Sequence, residues 1–186
     1  ATLAEISTIE KNVITLEDPV ERRMAGINQV QMNNRAGMTF AAALRSVLRS
    51  DPDIVMVGEI RDSETAKIAV EAALTGHMVL STLHTNDAPG AVTRLDEMGV
   101  EPFLTASSLV GVLAQRLVRK LCPKCREEYE ISHAELKSIV PDLEDYGYNK
   151  PSYKLYKAKG CLTCNNTGYK GREAVFEFLT VTEEMK

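Results

Sequence analysis

The sequence lacks any long apolar segment, since none of its apolar runs approaches the roughly 18 residues that a membrane-spanning helix needs. Residues 1–11 carry neither the basic region nor the apolar region of a secretory signal peptide. These two absences leave the sequence without the features of a membrane span or of a secretory signal.

An excess of positive charge is also missing. The formal net charge is -4 at pH 7, and aromatic residues make up only 5% of the chain. A surface that coats nucleic acid neutralises phosphates with basic residues and often stacks bases on aromatic rings. We therefore expect no nucleic-acid partner, although a local basic patch remains at Arg116, Arg119, Lys120 and Lys124.

What the sequence does contain is an ordinary globular composition, with 44% hydrophobic and 26% charged residues. Three short runs rich in Val, Ile, Leu and Met alternate with helical patterns, which is typical of β-α units and a parallel sheet. The strands are predicted at residues 13–16, 53–57 and 78–83. The helices are predicted at residues 2–10, 40–49 (capped by Thr39), 64–74 (capped by Ser or Asp), from a cap at Asn86 or Asp87 to Met98, and at 105–121.

Polar side chains follow each of the three predicted strands. Because the carboxyl ends of parallel strands meet at one edge of a sheet, these side chains are expected to face one crevice. Two carboxylates and an imidazole there suit a divalent metal, a polyphosphate and an activated water. The residues are Glu17, Asp18, Glu59, Arg61, Asp62, His84, Thr85, Asn86 and Asp87.

Three segments together resemble a known family. "ITLEDPVE" (14–21), "LRSDPDIVMVGEIRD" (48–62) and "TGHMVLSTLHTNDA" (75–88) are similar to the Asp box, the Walker B segment and the His box of secretion ATPases. The resemblance is to the GspE/PilB branch, which powers type II secretion and type IV pilus assembly, and it covers nearly the whole chain. It implies an α/β fold with a RecA-like P-loop NTPase core, working as a ring that is usually a homo-hexamer.

The resemblance also implies roles for individual residues. Glu59 is expected to lie near Mg²⁺ and its water, Glu17 to polarise the attacking water, and His84 to contact the γ-phosphate of ATP. The expected cofactor-binding residues are Asp18, Glu59, Arg61, Asp62 and His77. For Arg61 an ion pair with a nearby acid is the alternative, and His77 is expected near the other end of its strand in a more structural role.

The phosphate-binding sequence G-x-x-x-x-G-K-[ST] does not occur in these 186 residues. In the family that loop lies just upstream of a helix such as residues 2–10, and a preceding domain supplies arginines to a neighbouring subunit. We therefore expect the chain to be a fragment that has lost its phosphate-binding half and is inactive alone.

Four cysteines form two Cys-x₂-Cys pairs, Cys122/Cys125 and Cys161/Cys164. In a chain without secretory features this spacing favours structural Zn²⁺ bound by four thiolates over disulfides or free thiols. Domain boundaries are accordingly placed at 1–120 for the ATPase core, 121–168 for the zinc module, and 169–186 for a return strand and the start of a helical portion.

The function expected from this resemblance is ATP hydrolysis that drives pilin or pseudopilin assembly, with ATP, Mg²⁺ and structural Zn²⁺ as cofactors. The expected location is the cytoplasm, at the inner face of the bacterial inner membrane, with peripheral association through inner-membrane platform proteins. Two alternatives stay open: a DNA-uptake competence ATPase of the same family, and a non-catalytic docking module that carries structural zinc.

Overall fold

The computed structural model describes residues 2–185, apart from the side chain of Asn34. The chain divides into two compact units. Unit 1 is discontinuous, because it combines the residues up to 114 with those from 177 onward, whereas unit 2 is the continuous segment 115–176. The boundaries expected at residues 120 and 168 both fall inside unit 2.

The helices and strands alternate along the first part of the chain and give way to strands in the second. The strands are β1 (Val13–Glu17), β2 (Asn28–Gln31), β3 (Ile54–Val57), β4 (Met78–Ser81), β5 (Gly111–Leu121), β6 (Glu127–Ser132), β7 (Ser152–Lys157) and β8 (Tyr169–Thr180). The helices are α1 (Thr2–Ile6), α2 (Phe40–Val47), α3 (Ser63–Leu74), α4 (Gly90–Glu97), α5 (Pro102–Ser108) and α6 (His133–Ile139). Short 3₁₀ turns lie at Asn34–Ala36, Leu48–Ser50, Leu162–Cys164 and Glu183–Met185.

Unit 1 contains a four-stranded sheet in the order β2-β1-β3-β4, and every neighbouring pair is parallel. Leu16 is level with Val57, and Val57 with Ser81, so the carboxyl ends of β1, β3 and β4 lie side by side. The prediction of a mostly parallel α/β sheet is confirmed.

Strand β1 is buried at every position and therefore has helices on both faces. Because side chains alternate along a strand, Val13, Thr15 and Glu17 share one face and Ile14 and Leu16 the other. Val13 packs with Leu3 of α1, while Leu16 belongs to the larger cluster formed with α2, α3 and α4. The alternation thus decides which face of the sheet presents Glu17.

Two helix starts follow the predicted capping. The Thr39 hydroxyl accepts a hydrogen bond from the Ala42 amide at 3.2 Å, and Asp62 Oδ1 accepts one from the Thr65 amide at 2.8 Å. Such side chains satisfy amide groups that have no partner in the first helical turn.

The prediction of a helix at 105–121 is wrong beyond Ser108. Residues 111–121 form β5 and pair with β8, which lies far along the chain. The pattern of Leu113, Arg116 and Leu117 suits a helix surface as well as a strand, so the distant partner decides the structure. Strand β2 was not predicted, because its four residues, Asn-Gln-Val-Gln, carry little apolar signal.

Unit 2 contains an antiparallel pair, β6 with β7, and α6 between them in the chain. Its buried residues include Ile131, Leu143, Cys122 and Cys164. Two aliphatic side chains make a small core for an independent unit, which is the situation in which metals commonly supply stability.

None of the helices within residues 2–185 has the length and apolar character needed to cross a bilayer. The longest, α3, has 12 residues, whereas a span needs roughly 20.

Candidate active site and metal centre

The carboxyl edge of the unit 1 sheet borders a cavity of about 370 Å³. Backbone hydrogen bonds continue beyond the strand ends, since the Gly58 amide donates to Leu16 O at 2.8 Å and the Ile60 amide donates to Thr82 O at 3.0 Å. These bonds hold the segments that carry the polar side chains in register. The cavity lining includes Glu17, Asp18, Glu21, Glu59, Ser81 and Thr82.

Gly58 permits the close approach of β3 to β1 at this edge. A Cβ atom at Gly58 would lie 2.9 Å from Leu16 O and 3.5 Å from the Cα atom of Glu17. Backbone atoms cannot move aside as a flexible side chain can, so any larger residue would push the two strand ends apart.

Glu59 lies between two cationic or polar partners. Its Oε2 atom is 2.5 Å from Arg61 Nε and 3.3 Å from His84 Nε2. Burial raises the pKa of Glu59, but the hydrogen bonds and charges of Arg61 and His84 outweigh it, so the net pKa is lowered. The ion pair with an acid, which was the alternative prediction for Arg61, is therefore present. Because its pKa is lowered, Glu59 is ionised at neutral pH.

Glu17 is 8% exposed and accepts two hydrogen bonds at one oxygen. Thr15 Oγ1 donates to Glu17 Oε1 at 2.6 Å, and Gln29 Nε2 donates to the same atom at 2.9 Å. Neither Thr15 nor Gln29 was singled out from the sequence. Gln29 belongs to the unpredicted strand β2, where it lies level with Thr15.

The other predicted site residues do not all lie at the carboxyl edge of the sheet. Asp18 lines the cavity. Asp62 caps α3, and its two carboxylate oxygens accept hydrogen bonds from the amide and the hydroxyl of Thr65 at 2.8 and 2.9 Å. His77 precedes β4 at the opposite end of the sheet, where its Nδ1 is 3.0 Å from Ala72 O. The structure therefore brings Glu17, Asp18, Glu59, Arg61 and His84 to one edge, but not His77.

The loop that carries His84 has a partner on a distant strand. Glu177 Oε2 of β8 accepts a hydrogen bond from the fully buried Ala88 amide at 2.8 Å, although 89 residues separate them. Within the loop, Asp87 Oδ1 accepts a hydrogen bond from the Gly90 amide at 2.8 Å. Sequence reasoning missed Glu177, because no local pattern relates it to the His84 loop.

The four cysteines of unit 2 come together as the spacing predicted. All four Sγ atoms lie within 4.8 Å of one another, and the contacts Cys122–Cys161, Cys125–Cys164 and Cys161–Cys164 measure 3.9, 3.8 and 3.7 Å. Tetrahedral zinc with Zn–S bonds of about 2.3 Å places its sulfurs about 3.8 Å apart. The separations fit a four-thiolate metal site and are far too long for disulfides.

Backbone amides point at the sulfur of Cys164. The amides of Cys161 and Gly168 each donate to Cys164 Sγ at 3.2 Å. Burial raises the pKa of this thiol, but the two amides and the neighbouring thiols lower it to about 6. Burial together with hydrogen bonds to the other thiols raises the pKa of Cys125 to about 12. Without a cation, the cluster therefore does not ionise fully at neutral pH, whereas a bound divalent metal would offset part of the negative charge and favour the thiolate form of its ligands.

Members of the basic patch have partners within unit 2. The Arg119 guanidinium lies 4.1 Å from the centre of the Tyr169 ring, and Lys120 Nζ lies 3.3 Å from Glu173 Oε2. Both side chains therefore have protein partners in this structure.

Known proteins are similar to this chain over nearly its whole length. A family model described as type II/IV secretion system protein matches residues 1–186. The type IV pilus assembly ATPase PilB of Thermus thermophilus is 56% identical over 185 residues, which are 99% of this chain and 20% of that protein. The type II secretion system ATPase E of Vibrio cholerae is 55% identical over 186 residues, which are 100% of this chain and 36% of that protein.

A solved structure is similar as well. The crystal structure of the pilus retraction motor PilT with bound ADP matches with a TM-score of 0.55 and 34% identity, covering 66% of this chain and 38% of that one. The expected RecA-like core, with its mostly parallel sheet and flanking helices, is thereby confirmed. The chain spans only 20 to 36% of the length of the two curated relatives named above. Since the family model matches from the first residue to the last, the chain belongs to the type II/IV secretion system protein family.

Proposed function

We propose that the protein to which this chain belongs is a motor ATPase that hydrolyses ATP to drive pilin or pseudopilin assembly. The observation that carries the proposal is the placement of Glu17 and Glu59 on one cavity at the carboxyl edge of the sheet, with His84 Nε2 3.3 Å from Glu59 Oε2. Carboxylates and an imidazole there are the groups that phosphoryl transfer to water requires. The names of the two curated relatives, a pilus assembly ATPase and a secretion ATPase, support the same activity.

In this proposal each residue has a separate task. Glu17 takes a proton from the attacking water, because its carboxylate is held by two donors beside the cavity. Glu59, with Asp18 nearby, would hold Mg²⁺, which supplies charge neutralisation for the phosphates when it is bound. His84 is 81% exposed at the same edge, so it can reach a terminal phosphate without displacing a packed side chain.

The proposed metal of unit 2 is structural Zn²⁺ held by Cys122, Cys125, Cys161 and Cys164. Four thiolates complete a tetrahedral shell and leave no position for a substrate, so the role is to stabilise the fold. The sulfur separations given above support this assignment.

The proposed assembly is a homo-hexamer in the cytoplasm, attached to the inner face of the inner membrane through platform proteins. Identities of 56% to a pilus ATPase and 55% to a secretion ATPase do not separate the two machines. A competence ATPase of the same family fits the same residues.

Turnover of Mg²⁺-ATP by the full-length protein tests the proposal. We expect Glu59→Gln to abolish turnover while ATP still binds, because the amide keeps the shape of the side chain and loses its charge. Glu71→Gln, an exposed substitution on α3, is the matched control and should leave turnover unchanged. If the full-length protein does not hydrolyse ATP yet is folded and binds zinc, the docking-module alternative replaces the motor.

A further inference from the structure

The carboxylate of Glu17 is held asymmetrically. Both of its donors, the Thr15 hydroxyl and the side-chain amide of Gln29, bind Oε1, and none of the side chains or backbone groups that the structure describes donates to Oε2. Glu17 lines the cavity at the sheet edge and also a second cavity of about 470 Å³. One oxygen is therefore fixed by the protein, while the other is left for a ligand or water.

Thr15 is placed for this task by the strand itself. It lies two residues before Glu17 on β1 and is 0% exposed. Because alternate side chains of a strand share a face, its hydroxyl reaches the carboxylate without any loop contribution. A hydrogen bond to an ionised acceptor is about twice as strong as a neutral one, which favours a single orientation of Glu17.

Gln29 uses its whole amide group. Its Oε1 accepts a hydrogen bond from the Met24 amide at 2.7 Å, while its Nε2 donates to Glu17 Oε1 and, at 3.0 Å, to Arg22 O. If the side-chain amide of Gln29 were flipped, its NH₂ group would face the Met24 N–H, and its oxygen would face Glu17 Oε1 and Arg22 O. The hydrogen-bond network therefore determines the orientation of this amide. Gln29 thereby connects Glu17 to the 22–24 segment, in which Arg22 and Arg23 line the second cavity.

We infer that Thr15 and Gln29 are positioning residues for the hydrolysis reaction: they fix Oε1 of Glu17 and leave Oε2 to accept the proton of the attacking water. This inference rests on the proposed function, in which Glu17 is the base. The water loses a proton to Oε2 as its oxygen forms a bond to the γ-phosphorus and the bond to the β–γ bridging oxygen breaks.

Steady-state kinetics of the full-length protein test the Thr15 contact. Thr15→Val keeps the branched shape and removes the donor, so we expect kcat to fall about 10- to 100-fold with the KM for ATP nearly unchanged. Thr15→Ser keeps the hydroxyl and should restore most of kcat. An unchanged kcat in Thr15→Val would overturn the role of Thr15. A kcat in Thr15→Ser as low as that of Thr15→Val would overturn it too.

The Gln29 contact is tested by the same kinetics. Gln29→Leu removes the donor to Glu17 Oε1, so we expect kcat to fall about 10- to 100-fold with the KM for ATP nearly unchanged. Gln29→Glu has the same shape and its carboxylate still accepts a hydrogen bond from the Met24 amide, but it cannot donate to Glu17, so it should lower kcat as well. If Gln29→Leu does not fold, Gln29→Glu decides, and a wild-type kcat in Gln29→Glu contradicts the inference.

Glu17→Gln separates this inference from the proposed function. If Glu17→Gln leaves turnover intact, Glu17 is not the base and the proposed mechanism fails. If Glu17→Gln abolishes turnover while the Thr15 and Gln29 variants keep the wild-type kcat, the mechanism stands and the positioning roles fail. In a double variant with Glu17→Gln, Thr15→Val should cause no further loss, because both changes act through one carboxylate.

Discussion

At the scale of the single residue, Glu59 has the most direct evidence for an unusual environment. Arg61 is 69% exposed and His84 81% exposed, whereas the Glu59 side chain is 15% exposed. A carboxylate that is mostly covered by protein thus meets two groups that remain in contact with solvent. Because a carboxylate can only accept, the His84 Nε2 atom must carry the proton in this contact.

The pKa of Glu59 gives a first prediction. Since the folded-state pKa lies below the usual 4.5, the ionised form stabilises the fold above pH 4.5, and that contribution is lost as the pH falls through the folded-state pKa. We expect the Glu59 carboxyl carbon to titrate below 4.5 by NMR, and to titrate at higher pH in Arg61→Gln. A wild-type value above 4.5 would show that burial dominates.

At the residue level, the sequence allows prediction of side chains that follow strand ends, but not of side chains whose place depends on strand pairing. Glu17, Glu59 and His84 could be placed at the sheet edge because each follows an apolar run, and their roles in hydrolysis stay predictions. Gln29 was missed because its contact with Glu17 depends on the register of β2 against β1, which no local pattern specifies.

At the scale of the element, the side chain of Asp62 caps the first turn of helix α3. Asp62 was expected to bind the cofactor, yet both of its oxygens contact Thr65, which is 0% exposed. The sequence pattern alone could not decide between these roles, because an acid before a helix suits a cap and a metal ligand equally.

Substitution of Asp62 distinguishes the two roles. Asp62→Ala should lower the free energy of unfolding by about 0.5 to 2 kcal/mol, because the cap is lost. Asp62→Asn keeps an acceptor for the Thr65 amide and should unfold close to wild type in urea. If Asp62→Asn is stable but impairs Mg²⁺-ATP turnover in the full-length protein, the residue also serves the cofactor.

The contact between β8 and the His84 loop gives a further prediction. Hydrogen exchange at the Ala88 amide should become about 10- to 100-fold faster in Glu177→Leu, since a hydrogen bond to a charged group contributes roughly 1.5 to 3 kcal/mol. Glu177→Gln keeps an acceptor oxygen and should retain most of the protection. Equal exchange in wild type and Glu177→Leu would mean that packing alone shields this amide.

At the scale of the whole molecule, the two units differ in the size of their apolar cores. Unit 1 buries a large apolar cluster around β1 and β3, whereas unit 2 has a small core beside its four thiols. The mostly parallel sheet and the cysteine cluster could be predicted, because β-α alternation and paired cysteines are local patterns. The pairing of β5 with β8 could not be predicted, because the two strands lie far apart in the sequence.

Metal removal should therefore affect the units unequally. Freshly purified protein should contain about one zinc per chain, and Cys122→Ser or Cys161→Ser should lower that content. Hydrogen exchange should then increase in residues 115–176 and stay unchanged in β1 and β3. Thr163→Ser, in the same turn as two ligands, is the matched control. Zinc near zero in protein never exposed to chelator would refute the metal site.

The discontinuity of unit 1 has a consequence for the order in which the protein is made. Ala88 leaves the ribosome 89 residues before Glu177, which accepts its hydrogen bond. At about 5 to 20 residues per second, that interval lasts about 4 to 18 s. Unit 2 is continuous, so all of it is synthesised before Glu177 arrives. A nascent chain halted after residue 176 would thus contain all of unit 2. It would still lack the end of β8 that carries Glu177, the partner of Ala88 in unit 1.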